Sequence, residues 1–147
     1  MILRALRALR LNLGFQFALF AAFSVLFVTG ALWLCADQMK VTVDTGETWQ
    51  AIAANLLMVH GGVAMITLMF LGALFPLHIR LGWRSRRNLV TGAAMASFNA
   101  VLVVTAFGLY YTGSEVLRPW MSIVHTGFGL CLPFLFIIHV FAGKRTA

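Results

Sequence analysis

The chain has 147 residues, of which 61% are hydrophobic and 10% charged, with a formal net charge of +7 and a mean hydropathy of +0.92. A water-soluble domain is nearer half apolar and a quarter charged, so the composition excludes one and points to the membrane. The basic balance does not imply nucleic acid, because the charges sit where membrane topology places them.

The amino-terminal stretch MILRALRALRLNLGFQFALF has the outline of a secretory signal. Its apolar part is too long for one, and no small-x-small cleavage site precedes the acidic loop. It is therefore expected to be an uncleaved first helix, about residues 11–36, led by Arg4, Arg7 and Arg10. The connection ADQMKVTVDTGETWQ follows, then a second helix over about 49–79. Arg80, Arg84, Arg86 and Arg87 fill the next connection, a third helix covers about 88–111, and a fourth covers about 119–142 before Lys144 and Arg145.

The uncharged windows are Leu11–Ala36, Thr48–Ile79, Asn88–Ser114 and Pro119–Gly143. Each exceeds the ~20 residues a helix needs to cross a hydrocarbon core of ~30 Å. A β-barrel would alternate in polarity over short segments, which these runs do not. The expected fold is all-α: an integral membrane four-helix bundle forming a single domain over 1–147.

Nine basic and no acidic residues flank the spans on one side, whereas Asp37, Asp44, Glu47 and Glu115 face only Lys40 and Arg118 on the other. Basic flanks face the cytoplasm, so both termini are expected there. Trp33, Trp49 and Trp120 fall at the outer helix ends, Trp83 lies in the inner loop, and Tyr110 and Tyr111 close the third helix. Aromatic rings of this kind favour the headgroup level. Pro119 suits the first turn of the fourth helix.

Several chemistries lack their residues. Cys35 and Cys131 are too few and too far apart for a disulfide-generating enzyme, and no Cys-x-x-Cys-His is present for a c-type haem. No phosphate-binding glycine loop occurs, and no acidic residue lies within a span, which argues against nucleotide chemistry and cation pumping.

The histidines are the exception. All four, His60, His78, His125 and His139, lie in the second and fourth spans. Intramembrane ionisable groups are costly and rare. His60 and His78 are 18 residues apart, about five turns at ~100° per residue; His125 and His139 are 14 apart, within ~40°. In a regular helix each pair occupies one stripe. His60 lies 20 residues before Arg80 and His125 lies 19 before Lys144, so these two match in depth. His78 and His139 lie 2 and 5 residues before the same flanks, an inner pair offset by roughly 4–5 Å.

Two imidazoles from facing helices are the axial set of a b-type haem. Gly61, Gly62, Gly127 and Gly129, beside the outer pair, leave room for a large flat ring. Two haems so placed would stand ~21–27 Å apart along the helices. Arg80, Arg84, Arg87 and Arg118 suit haem propionates, though topology alone accounts for them. Asn99, Gln16 and phenylalanines such as Phe128, Phe134 and Phe136 are explained by helix packing before any cofactor role.

With its histidines on two helices, the sequence resembles the small bacterial di-haem b-type cytochromes, a broad cytochrome b561-like group. HIRLGWRSRRN at 78–88, GLYYTGSEVLRPWMSIVHTGFGL and FIIHVFAGKR are similar to a four-helix family of membrane cytochromes, the DUF4405-like group. The resemblance implies two haem b per chain, held by His60, His125, His78 and His139 as iron ligands, in a bacterial inner (cytoplasmic) membrane. It implies electron transfer through that membrane as a subunit linking a periplasmic redox partner with quinone or a cytoplasmic partner. The wide histidine spacing on the second helix departs from related cytochromes. Two other readings stand beside it: a stand-alone quinone-linked haem oxidoreductase, by analogy with superoxide oxidation, and a structural or assembly subunit whose histidines bond between helices.

Overall fold

A computed structural model describes residues 12–42, 46–86 and 88–145. Arg4, Arg7, Arg10, Asp44 and Arg87 of the topology argument lie outside these residues. The elements in chain order are α1 (Leu13–Thr42), α2 (Gly46–Leu74), a π-helical turn (Phe75–Ile79), α3 (Arg80–Ser85), α4 (Leu89–Tyr111) and α5 (Leu117–Arg145). No strand occurs among the described residues.

The long helices α1, α2, α4 and α5 are each long and apolar enough to cross a membrane, the shortest having 23 residues. At ~1.5 Å per residue even that one spans ~35 Å. Large apolar side chains point outward along them, among them Met69, Val90 and Phe134. Among the described residues the buried apolar ones are few, and half of them are alanines, Ala22, Ala36 and Ala53. Lipid supplies no hydrophobic drive for helix pairing, and small residues let backbones approach closely, so this inside-out distribution belongs to a multi-pass membrane protein in contact with lipid.

The chain divides into two compact units, Met1–Leu81 and Gly82–Ala147. In the first, α1 and α2 form an antiparallel hairpin, with Phe15 and Phe70 meeting edge to face at 5.4 Å between centroids. In the second, α4 and α5 form another, with Phe98 against Phe128 at 4.6 Å. Phe128 thus has a packing role inside its own hairpin. Near the far end of this hairpin Met121 lies across Gly108, where a Cβ would collide with its sulfur.

Helix ends follow local chemistry. Asn12 caps α1, its Oδ1 accepting the Gly14 N–H at 3.0 Å. Ser114 Oγ accepts the Leu117 N–H at 3.2 Å and so starts α5 two residues before the expected 119. Pro119 still falls in the first turn, where a missing N–H leaves no bond unmade. Asn88, with φ of 51°, enters α4 from the left-handed region that asparagine tolerates.

The expected boundaries fall short at three further places. α1 continues from 36 to Thr42, and α2 begins at Gly46, earlier than 49. Asp37 and Lys40, one turn apart, form an ion pair on the part of α1 that continues past its apolar run. Trp83 and the basic residues Arg80 and Arg84 lie on the helix α3, and α5 extends to Arg145. Charge ends a membrane span; only a breaker or cap ends a helix.

Pro76 and Pro133 differ in effect. Pro133 sits inside an uninterrupted α5. Pro76 lies in the π turn, closed by the Arg80 N–H donating to the Phe75 carbonyl. A residue in a π turn sweeps less angle than in an α turn, since the repeat is wider. His78 is in that turn, so its direction does not follow from the regular-helix spacing of 18.

Candidate functional site

Within the first hairpin, α2 carries His60 toward α1. Its Nδ1 lies 3.0 Å from Thr29 Oγ1. Within the second, α5 carries two histidines toward α4: His125 Nδ1 is 2.9 Å from Thr105 Oγ1, and His139 Nδ1 is 3.0 Å from Thr91 Oγ1. Thr91 and Thr105 are 14 residues apart, as are His125 and His139, so one antiparallel register makes both contacts. His78 is half-buried in the π turn.

The hydroxyls are anchored to their own helices. Thr29 donates to the Val25 carbonyl at 2.7 Å and Thr105 to the Val101 carbonyl at 2.7 Å. Both threonines are buried. Thr91 lies 3.5 Å from the Asn88 carbonyl, a much weaker anchor.

Sequence reasoning singled out the histidines and missed these threonines. Three times a valine, a threonine and a small residue stand in succession: Val28-Thr29-Gly30, Val90-Thr91-Gly92 and Val104-Thr105-Ala106. A threonine in mid-span usually bonds its own helix, which hid its second contact. In the two triplets that end in glycine, that glycine lies on the side the imidazole approaches. A Cβ at Gly30 would stand 3.3 Å from His60 Cε1, whereas one at Gly92 would stand 3.8 Å from His139 Cε1.

That difference gives an expected outcome. Alanine gains the same helix propensity over glycine at both positions, so the contact decides. Gly30→Ala should destabilise the chain in detergent by about 1 kcal/mol relative to Gly92→Ala, from overpacking. Equal unfolding midpoints for the two variants would mean the His60 ring is not held against α1.

Other expected positions separate. Asn99 donates from its side chain to the Met95 carbonyl of its own helix at 2.8 Å. Within their own units, a Cβ at Gly62 or Gly127 meets no described atom within 4 Å, and at Gly129 it meets Leu102 at 3.9 Å. A Cβ is thus accommodated at Gly62 and Gly127, whereas at Gly30 it would crowd the His60 ring and at Gly108 the Met121 side chain. Arg80, Arg84 and Arg118 are exposed.

Among the described residues no three His, Cys, Asp or Glu side chains gather to hold a bare metal ion. A haem iron asks only for single imidazole nitrogens, each oriented by a hydrogen bond on the other ring nitrogen. His60, His125 and His139 have that donor chemistry. Comparison with protein families, with curated proteins and with solved structures finds no match for this chain.

Proposed function

We propose that this protein carries electrons across a bacterial cytoplasmic membrane through two b-type haems, with both chain termini on the cytoplasmic side. The axial ligands are His60 with His125 in an outer tier and His78 with His139 in an inner tier, paired by their depth in the sequence. A periplasmic redox protein and quinone or a cytoplasmic partner stand at the two ends.

The observation that carries this reading is the repeated threonine–imidazole bond. Three of the four intramembrane histidines have Nδ1 engaged by a hydroxyl on the adjacent helix. Such a partner on one ring nitrogen is how metal-ligating histidines are set. Haem, when bound, supplies reversible one-electron chemistry. The chain's own residues orient the imidazoles, exclude water with an apolar surround, and set the basicity of the ligands.

The same bonds also favour a second reading, in which histidine and threonine only join the helices of each hairpin. Pyridine haemochrome analysis of the purified chain separates the two. Two haems b per chain are expected; colourless protein, with stability losses on His→Ala tied to no cofactor, would leave only the second.

A further inference from the structure

We propose that Thr29 and Thr105 are positioning residues that lock His60 and His125 as Nδ1–H tautomers, presenting Nε2 as the ligand nitrogen. The tautomer follows from the hairpins alone; that Nε2 then meets iron rests on the haem reading above.

A threonine hydroxyl has one proton and two lone pairs. At Thr29 the proton points to the Val25 carbonyl at 2.7 Å, with the Leu26 carbonyl beside it at 3.2 Å. Thr105 repeats this with Val101 at 2.7 Å and Leu102 at 3.2 Å. With the proton committed to the helix backbone, each oxygen turns a lone pair toward the imidazole, 3.0 Å away at His60 and 2.9 Å at His125. The Leu26 carbonyl also accepts from the His60 ring and favours the same tautomer.

Two lone pairs at that distance would repel, so Nδ1 carries the hydrogen and donates. A neutral imidazole has one N–H, which leaves Nε2 with the lone pair. Both threonines are only 8% exposed, so water does not compete for the hydroxyl. The arrangement arises separately in two hairpins, from two different helices.

Thr67 supplies an internal control. It is more deeply buried still, at 3% exposed, and bonds its own helix at the Val63 carbonyl, 2.8 Å away, yet among the described residues it meets no imidazole. Back-bonding by a buried threonine is thus common to all three, and the imidazole contact is what Thr29 and Thr105 add. Gly30 makes the first contact tight by admitting the His60 ring to α1.

The test uses the full-length chain in lipid nanodiscs with nitrogen-15 in the histidine side chains. In haem-free wild type, His60 and His125 are expected to show a protonated Nδ1 and an unprotonated Nε2. Thr105→Val should return the His125 ring to a mixture of tautomers and Thr105→Ser should restore the lock, whereas Thr29→Val should loosen the His60 ring less, because the Leu26 carbonyl remains as an acceptor. Thr67→Val should change neither. Titration with haem should find ~10–100-fold weaker uptake in the two valine variants, the usual effect of removing such a partner. Should the haem-free chain not fold, the haem-loaded protein reports the same bond. Losing the acceptor makes the imidazole less basic, so the midpoint potential of the affected haem rises in Thr29→Val and Thr105→Val but not in Thr67→Val. Unchanged tautomers, or an unchanged potential, would overturn the lock. Locked tautomers in a wild-type chain that takes up no haem would instead refute the haem reading and leave the lock standing.

Discussion

Alanine at His60 and alanine at His125 are each expected to lower the low-spin haem content of the purified chain by half, and the double variant by no more than either alone. This follows if both imidazoles serve one iron, because a bis-histidine site is already lost when one ligand goes. His60→Ala combined with His139→Ala should instead remove both low-spin haems. The comparison reads pairing from stoichiometry, independently of helix placement. Additive loss in the outer double variant would show that His60 and His125 serve different sites, and the depth matching in the sequence would be wrong.

The inner tier is expected to release its haem first. Mild chaotrope or excess free imidazole should bleach one haem while the other persists, with affinities ~10–100-fold apart. The reason lies in what holds each ring. His60 and His125 face hydroxyls whose protons are committed 2.7 Å away, so their bonds have a fixed direction. Thr91, beside His139, has the Asn88 carbonyl only at 3.5 Å, so its hydroxyl proton is not committed to its own helix as those of Thr29 and Thr105 are. His78 lies in the π turn rather than in regular helix. Thr91→Val should therefore change the early-bleaching haem, and Thr105→Val should make the late one bleach early. Simultaneous loss of both haems in wild type would sink this ordering. The four-span reading of the chain would survive it.

The spans were legible because the bilayer imposes a length. Four uncharged runs of more than ~20 residues leave little choice of fold class. Their ends were less legible. Asp37 and Lys40 look like a loop until they are seen to pair one turn apart within α1. Arg80 and Arg84 read as a connection, yet they lie on a short helix after the π turn. Hydropathy reports where lipid stops, which is not where these helices stop.

For the candidate site, the sequence by itself determined which side chains are costly to place in a membrane: the four histidines, by type and position alone. The tertiary structure decided what touches them. Thr29 and Thr105 look like any mid-span threonine in the sequence, and so does Thr67. Only the register of each hairpin distinguishes them, since it sets two residues 20 or 31 apart in sequence at about 3 Å in space. The π turn at Pro76 is of the same kind: it alters the direction of His78 without leaving a trace in the apolar pattern, because hydrophobic periodicity records average burial and not the pitch of one turn.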